Sequence, residues 1–138
     1  MTVIADTGYV VAVAIDTDRK HTACLAVHRQ QPTILLPQSV LAEVAFMLTR
    51  AGGKNATIQF FRALPQSKYR PVALRPEDFV RAADILRKYQ DTRVDFVDAT
   101  IAAIAERLHI QTILTLDQRD FGLIRPAHVD FFELLPSV

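Results

Sequence analysis

The feature that most limits how this chain can fold is its rhythm, in which short runs of β-branched and aliphatic residues take turns with longer stretches of helical periodicity. Residues 2–5, 33–36 and 112–116 read as strands, and 129–134 as the last one. Helices are predicted at 9–15, beyond Gly8, and at 21–30. Ser39 has the side chain of an N-cap for a helix running to about Ala51, and Gly52-Gly53 supplies its stop. A further helix spans 56–64, up to Pro65. Residues 69–74 make a weaker strand that Pro71 confines to a sheet edge. Pro76 suits the start of a helix over 77–88. The clearest helix covers 95–108, with Ile101, Ala102, Ala105 and Leu108 on one face. Strands alternating with helices imply a central, mostly parallel sheet covered on both faces, a three-layer α/β/α sandwich.

The length of 138 residues fits one domain spanning 1–138, and a 50% apolar content is enough for a core without staples. The formal charge of +1 does not advertise a nucleic-acid binder. Affinity for a polyanion would have to come from a local patch or from metal ions. Cys24 is the only cysteine, which excludes an internal disulfide and reads as a small buried hydrophobe. His21, His28, His109 and His128 lack metal-ligand spacing and read as surface or packing residues. No basic segment opens the chain, Asp6 interrupts the first apolar run, and no apolar run approaches a membrane span. A soluble, cytoplasmic protein is expected.

The chemistry is carried by acids placed against this framework. Asp6 follows the first strand directly, and Asp117 follows the strand at 112–116. Ligands of open parallel sheets bind beyond the carboxyl ends of strands. Glu43 lies among apolar neighbours one turn past the Ser39 cap. It is either exposed on an amphipathic helix or aimed at something cationic. Asp95 and Asp98 share one face at the start of the best helix. Capping accounts well for Asp95 and less well for Asp98, whose neighbours Val97, Ala99 and Ile101 read as buried. Four acids at one sheet edge would repel one another and destabilise the fold without a partner, and a divalent cation removes that penalty. Oxygen donors without a Cys or His cluster suit Mg²⁺ or Mn²⁺ rather than zinc.

Taken together these residues resemble the PIN domain, and within it the VapC-type toxins. Val3-Ile4-Ala5-Asp6-Thr7-Gly8-Tyr9 looks like that family's first motif, and Leu41-Ala42-Glu43-Val44 like its helix glutamate. The segment from Asp98 to Glu106 resembles its most recognisable stretch. Thr115-Leu116-Asp117-Gln118-Arg119-Asp120-Phe121 is similar to its closing motif. The resemblance runs along nearly the whole chain. It implies a metal-dependent endoribonuclease in which Asp6, Glu43, Asp98 and Asp117 hold one or two Mg²⁺ or Mn²⁺ ions. It leaves the roles of Asp95 and Asp120 open. Thr7 and Thr115 either orient a carboxylate or cap strand ends. Arg19-Lys20, Arg50, Lys54, Arg119 and Arg125 are candidates for substrate phosphate, with Arg119 nearest a predicted ligand. The resemblance also implies RNA as substrate, a small VapB-like antitoxin as partner, and a homodimer.

Other classes fit less well. Asp6-Thr7-Gly8 matches the aspartic-protease tripeptide, but those enzymes are all-β and a helical pattern follows here at once. A haloacid-dehalogenase phosphatase wants an aspartate where Gly8 stands. A receiver-like signalling domain wants an acidic pair by strand one and a lysine after the last strand. A non-catalytic PIN-like RNA-binding module is the serious alternative, and its hallmark would be a missing acid.

Overall fold

The computed structural model describes residues 1–137. Its centre is a five-stranded sheet, all parallel, made of β1 (Val3–Ala5), β2 (Ile34–Pro37), β3 (Tyr69–Val72), β4 (Thr112–Leu114) and β5 (Glu133–Leu135), in the order β3-β2-β1-β4-β5. The middle strands β1 and β4 are buried at every position. That is what helices on both faces demand, and why these strands read as continuous apolar runs rather than alternating ones. Pro71 lies in β3, where a missing N–H is tolerated at the sheet edge.

Among the described residues six α-helices cover the sheet: α1 (Thr7–Ala14), α2 (His21–Gln30), α3 (Leu41–Ala63), α4 (Pro76–Lys88), α5 (Phe96–Arg107) and α6 (Gln118–Leu123). Helix α1 packs on α2 and α3, while α4 packs on α5. The expected break at Gly52-Gly53 is present inside α3. Gly53 adopts φ 78°, ψ 172°, a left-handed-side conformation that costs glycine little and an L side chain much. The chain folds back there, so that Thr57 donates its hydroxyl to the Ala45 carbonyl at 3.1 Å and meets Thr49 at 2.7 Å.

Helix α5 is buried at each position from Asp98 to Ala105, not along one stripe. Packing against α4 on one side and towards β2 on the other explains this. Leu108, assigned to the buried face by periodicity, is 39% exposed just past the end of α5. Two ion pairs tie α4 to α5: Arg107 to the buried Asp78 at 2.9 Å, and Arg81 to Glu106 at 2.6 Å. Glu106 also accepts the Ala127 amide at 2.7 Å, so this residue of the resembling segment belongs to the scaffold.

Several expected boundaries move. Ser39 does not cap α3: it lies in a 3-10 turn, and its hydroxyl meets that of Thr100 at 2.8 Å, tying the end of β2 to α5. The last strand is shorter and later than 129–134. Cys24 is fully buried and burial pushes its thiol up to about 11, as suits a packing residue. No helix among the described residues is long and apolar enough to cross a membrane.

Candidate active site

Chain order makes the site. From β1 the chain steps outward to β2 and β3, then returns to place β4 on the other side of β1. The two strands diverge in connection at their carboxyl ends, which is where open parallel sheets bind ligands. The register pairs Ala5 with Leu114, so the residues that follow, Asp6 and Thr115, emerge side by side. The Asp6 amide donates to the Leu114 carbonyl at 2.9 Å, extending the ladder by one step.

Asp6 is buried and caps α1, one carboxylate oxygen accepting the Thr7 amide at 2.7 Å. Its other oxygen accepts the Thr115 hydroxyl at 3.0 Å. That hydroxyl in turn accepts the Asp117 amide at 2.8 Å. Thr115 therefore couples two acids, orienting one carboxylate and capping the strand end at once. Thr7 does the same for Glu43, donating its hydroxyl to Oε1 at 2.8 Å. Glu43 is exposed on its helix, and it lines the same cleft as Asp6.

Asp95 caps α5 by accepting the Asp98 amide at 3.0 Å, and Asp98 returns the bond by accepting the Asp95 amide at 3.1 Å. The reciprocal pair accounts for one oxygen of Asp98 better than the sequence suggested. Asp117 caps α6, accepting the Asp120 amide at 3.0 Å. This helix went unforeseen because six residues, one of them Gly122, are too few to show periodicity. By starting at Asp117 it turns Asp120 inward.

Asp6, Thr7, Glu43, Asp95, Asp98, Asp117 and Asp120 all line one cleft of about 910 Å³. The tightest group within it is Asp98, Asp117 and Asp120, which offer carboxylate oxygens within 4.8 Å of one another. Asp120, whose role the sequence left open, stands in this triad where Asp6 and Glu43 do not. Burial pushes Asp98 up to about 8, with the charges of Asp95 and Asp6 adding to it. Burial likewise pushes Asp6 up to about 6, outweighing the bonds from Thr7 and Thr115, with Asp117 and Glu43 adding. Asp120 is raised as well, by burial and then by its contact with Asp117. Carboxylates that resist ionising together gain from a cation, which stabilises their charged forms. The cluster's donors are all oxygen, and no histidine or cysteine lines the cleft among the described residues. The set therefore fits a hard divalent ion.

Of the basic residues proposed for phosphate, none lines the cleft. Arg119 is exposed on α6, and its charge reaches Asp120 without its side chain forming a wall. Arg93 does line the cleft, two residues before the Asp95 cap. Sequence alone offered no signal to single it out from the other arginines. Phe46, read only as an apolar neighbour of Glu43, and Met47 were missed as well. The histidines lie elsewhere: His28 Nδ1 meets the Tyr9 hydroxyl at 2.9 Å, and His21 and His128 donate to backbone carbonyls.

A family description for the PIN domain matches residues 3–125, nine-tenths of the chain and every acid of the cleft. The chain belongs to the PIN domain family. Among curated relatives, Ribonuclease VapC26 of Mycobacterium tuberculosis is 28% identical over 134 residues, covering 96% of this chain and 99% of the relative. Among solved structures, VapC20 of the same organism, described as a toxin that cleaves the sarcin-ricin loop, superposes with a TM-score of 0.81. It is 22% identical, with 93% of this chain and 98% of that one covered. VapBC2 of Rickettsia felis, solved bound to a DNA fragment from its promoter, gives a TM-score of 0.70 at 15% identity, with 97% of each chain covered. At these identities the structural likenesses establish the fold, and the PIN architecture is that of the sheet and helices described above.

Proposed function

We propose that this PIN domain is a divalent-metal-dependent endoribonuclease of the VapC type, the toxin of a toxin–antitoxin pair. The observation that carries the reading is the convergence of the Asp98, Asp117 and Asp120 carboxylates within 4.8 Å, beyond the carboxyl ends of β1 and β4. The likeness to a ribonuclease over 96% of the chain supports it. The retained acids weigh against a non-catalytic RNA-binding module.

Asp98, Asp117 and Asp120 would hold Mg²⁺ or Mn²⁺, with Asp6 and Glu43, which line the same cleft, joining through water. A bound ion of this kind supplies positive charge to the scissile phosphate and lowers the pKa of the attacking water. The protein's own part is positional. Thr115 fixes Asp6 and Asp117 relative to each other, and Thr7 fixes Glu43. The reciprocal Asp95–Asp98 cap leaves one Asp98 oxygen free for the cleft. Arg93 offers a cation to the substrate backbone from the cleft wall. We take the partners to be RNA, a VapB-like antitoxin and a second copy of the chain.

The test is incubation of a single-stranded RNA with purified protein, in Mg²⁺ or in chelator, with the new ends identified. Attack by water leaves a phosphomonoester on one fragment and a hydroxyl on the other. Cleavage that persists in chelator, or that leaves 2′,3′-cyclic phosphate, would remove the metal-assisted reading.

A further inference from the structure

Ala42, Glu43, Phe46 and Met47 recur at the spacing of one helix face, and all four line the cleft. Phe46 is 66% exposed and Met47 39%, and of the exposed phenylalanines Phe46, Phe79, Phe96 and Phe131, Phe46 is the one that lines this cleft. Phe46 stands one helical turn from Glu43, and Glu43 is held by Thr7, the neighbour of Asp6. An aromatic ring left open to water therefore stands on the rim of the carboxylate site.

We infer that Phe46 is the platform on which an unpaired nucleobase of the RNA stacks, beside the phosphate to be cleaved. The inference rests on the nuclease reading above and adds a substrate class to it. Within one cleft the chain presents carboxylates that a cation converts into a phosphate site, an arginine on the wall, and an adjoining aromatic and thioether surface. A nucleotide joins the complementary parts, an anionic phosphate and a flat π-face, through one ribose. A hydrophobic peptide would satisfy Phe46 and leave the charged part of the cleft unanswered. Stacking on an aromatic ring tolerates every base. It also requires that base to be free of a duplex, which directs the enzyme to single strands and loops. Met47 beside the ring adds a soft, adaptable contact for whichever base arrives.

The chain has no tryptophan, so Phe46→Trp is a reporter at a single known position. Its fluorescence should be quenched by a short single-stranded RNA, and not by the same oligonucleotide made abasic throughout. In cleavage assays Phe46→Ala should raise KM about tenfold, the size of one base–aromatic stack, with kcat nearly unchanged because the contact is made equally before and during reaction. Phe46→Leu should lose nearly as much. An abasic residue next to the cleaved bond should cost the wild type a similar factor and cost Phe46→Ala nothing further. Equal quenching by intact and abasic RNA would overturn the inference, as would full activity of Phe46→Leu, or penalties that multiply. So would a Phe46→Ala protein that cleaves normally but loses self-association in sedimentation, since the face would then be a protein interface. Quenching needs no cleavage. Failure of the nuclease reading with quenching intact is thus distinguishable from failure of the stack with cleavage intact.

Discussion

Asp98→Asn should stabilise the metal-free protein at neutral pH. The folded chain holds the Asp98 proton up to about pH 8, whereas the ordinary carboxyl value of 3.8 applies once the chain unfolds. Between those values the folded state binds more protons, so raising the pH favours unfolding. The contribution to stability is fully present below 3.8 and is lost as pH climbs through 8. By pH 7 about three pH units of that window have been crossed, a ceiling of roughly 4 kcal/mol at ~1.4 kcal/mol each. The cleft is open to water and the side chain can relax, so a gain of about 1–2 kcal/mol is expected at an effective interior dielectric near 20. In a domain of this size that is a rise in Tm of roughly 3–8 °C. Asparagine keeps the oxygen that accepts the Asp95 amide, so little capping energy is lost. The assay is thermal unfolding in chelator at pH 5 and pH 7. The gain should be larger at pH 7, and Mg²⁺ should raise the wild-type midpoint more than that of the variant. An Asp98→Asn midpoint no higher than wild type at pH 7, or a gain independent of pH, would refute the argument.

The remaining predictions concern the parts that hold the cluster and the scaffold beneath it. Asp117→Asn and Asp120→Asn should each reduce RNA cleavage by more than about 100-fold, beyond what outer-shell changes usually cost, whereas Asp95→Asn, which still caps, should lose far less in the same assay. Thr115→Val removes the hydroxyl shared by Asp6 and Asp117. It should lower cleavage by about 10–100-fold and stability by roughly 1–3 kcal/mol, measured in urea. Asp78→Ala strands Arg107 between α4 and α5. It should cost about 3–5 kcal/mol in the same titration, with activity unchanged at temperatures where the protein stays folded.

The layers and the strand-end acids were legible because they follow from period and position. Asp6 and Asp117 sit immediately after apolar runs that only buried strands explain, and Gly52-Gly53 announces its own break. What was not legible depends on tertiary neighbours. Asp120 entered the site through a six-residue helix too short to leave a pattern. Ser39, a good cap by residue type, was drawn instead to Thr100, 61 positions away. Leu108 fell off its helix face because α5 is enclosed by other elements only from Asp98 to Ala105, and both its ends meet solvent. Arg93 and Arg119 flank different acids at similar sequence distance, and which of them forms a cleft wall is decided by loop geometry. Glu43 shows the middle case: its place one turn along a helix from a strand end was readable, and its bond to Thr7 was not.

The central claim is that Asp98, Asp117 and Asp120 form a metal site, and direct Mn²⁺ binding tests it without any substrate. Loss of the free Mn²⁺ electron-paramagnetic-resonance signal, titrated against protein at pH 7.5, reports occupancy. Wild type should deplete the signal, Asp98→Asn, Asp117→Asn and Asp120→Asn should each bind at least tenfold more weakly, and Asp95→Asn should bind nearly as wild type. Undiminished Mn²⁺ binding by all three triad variants would contradict the account.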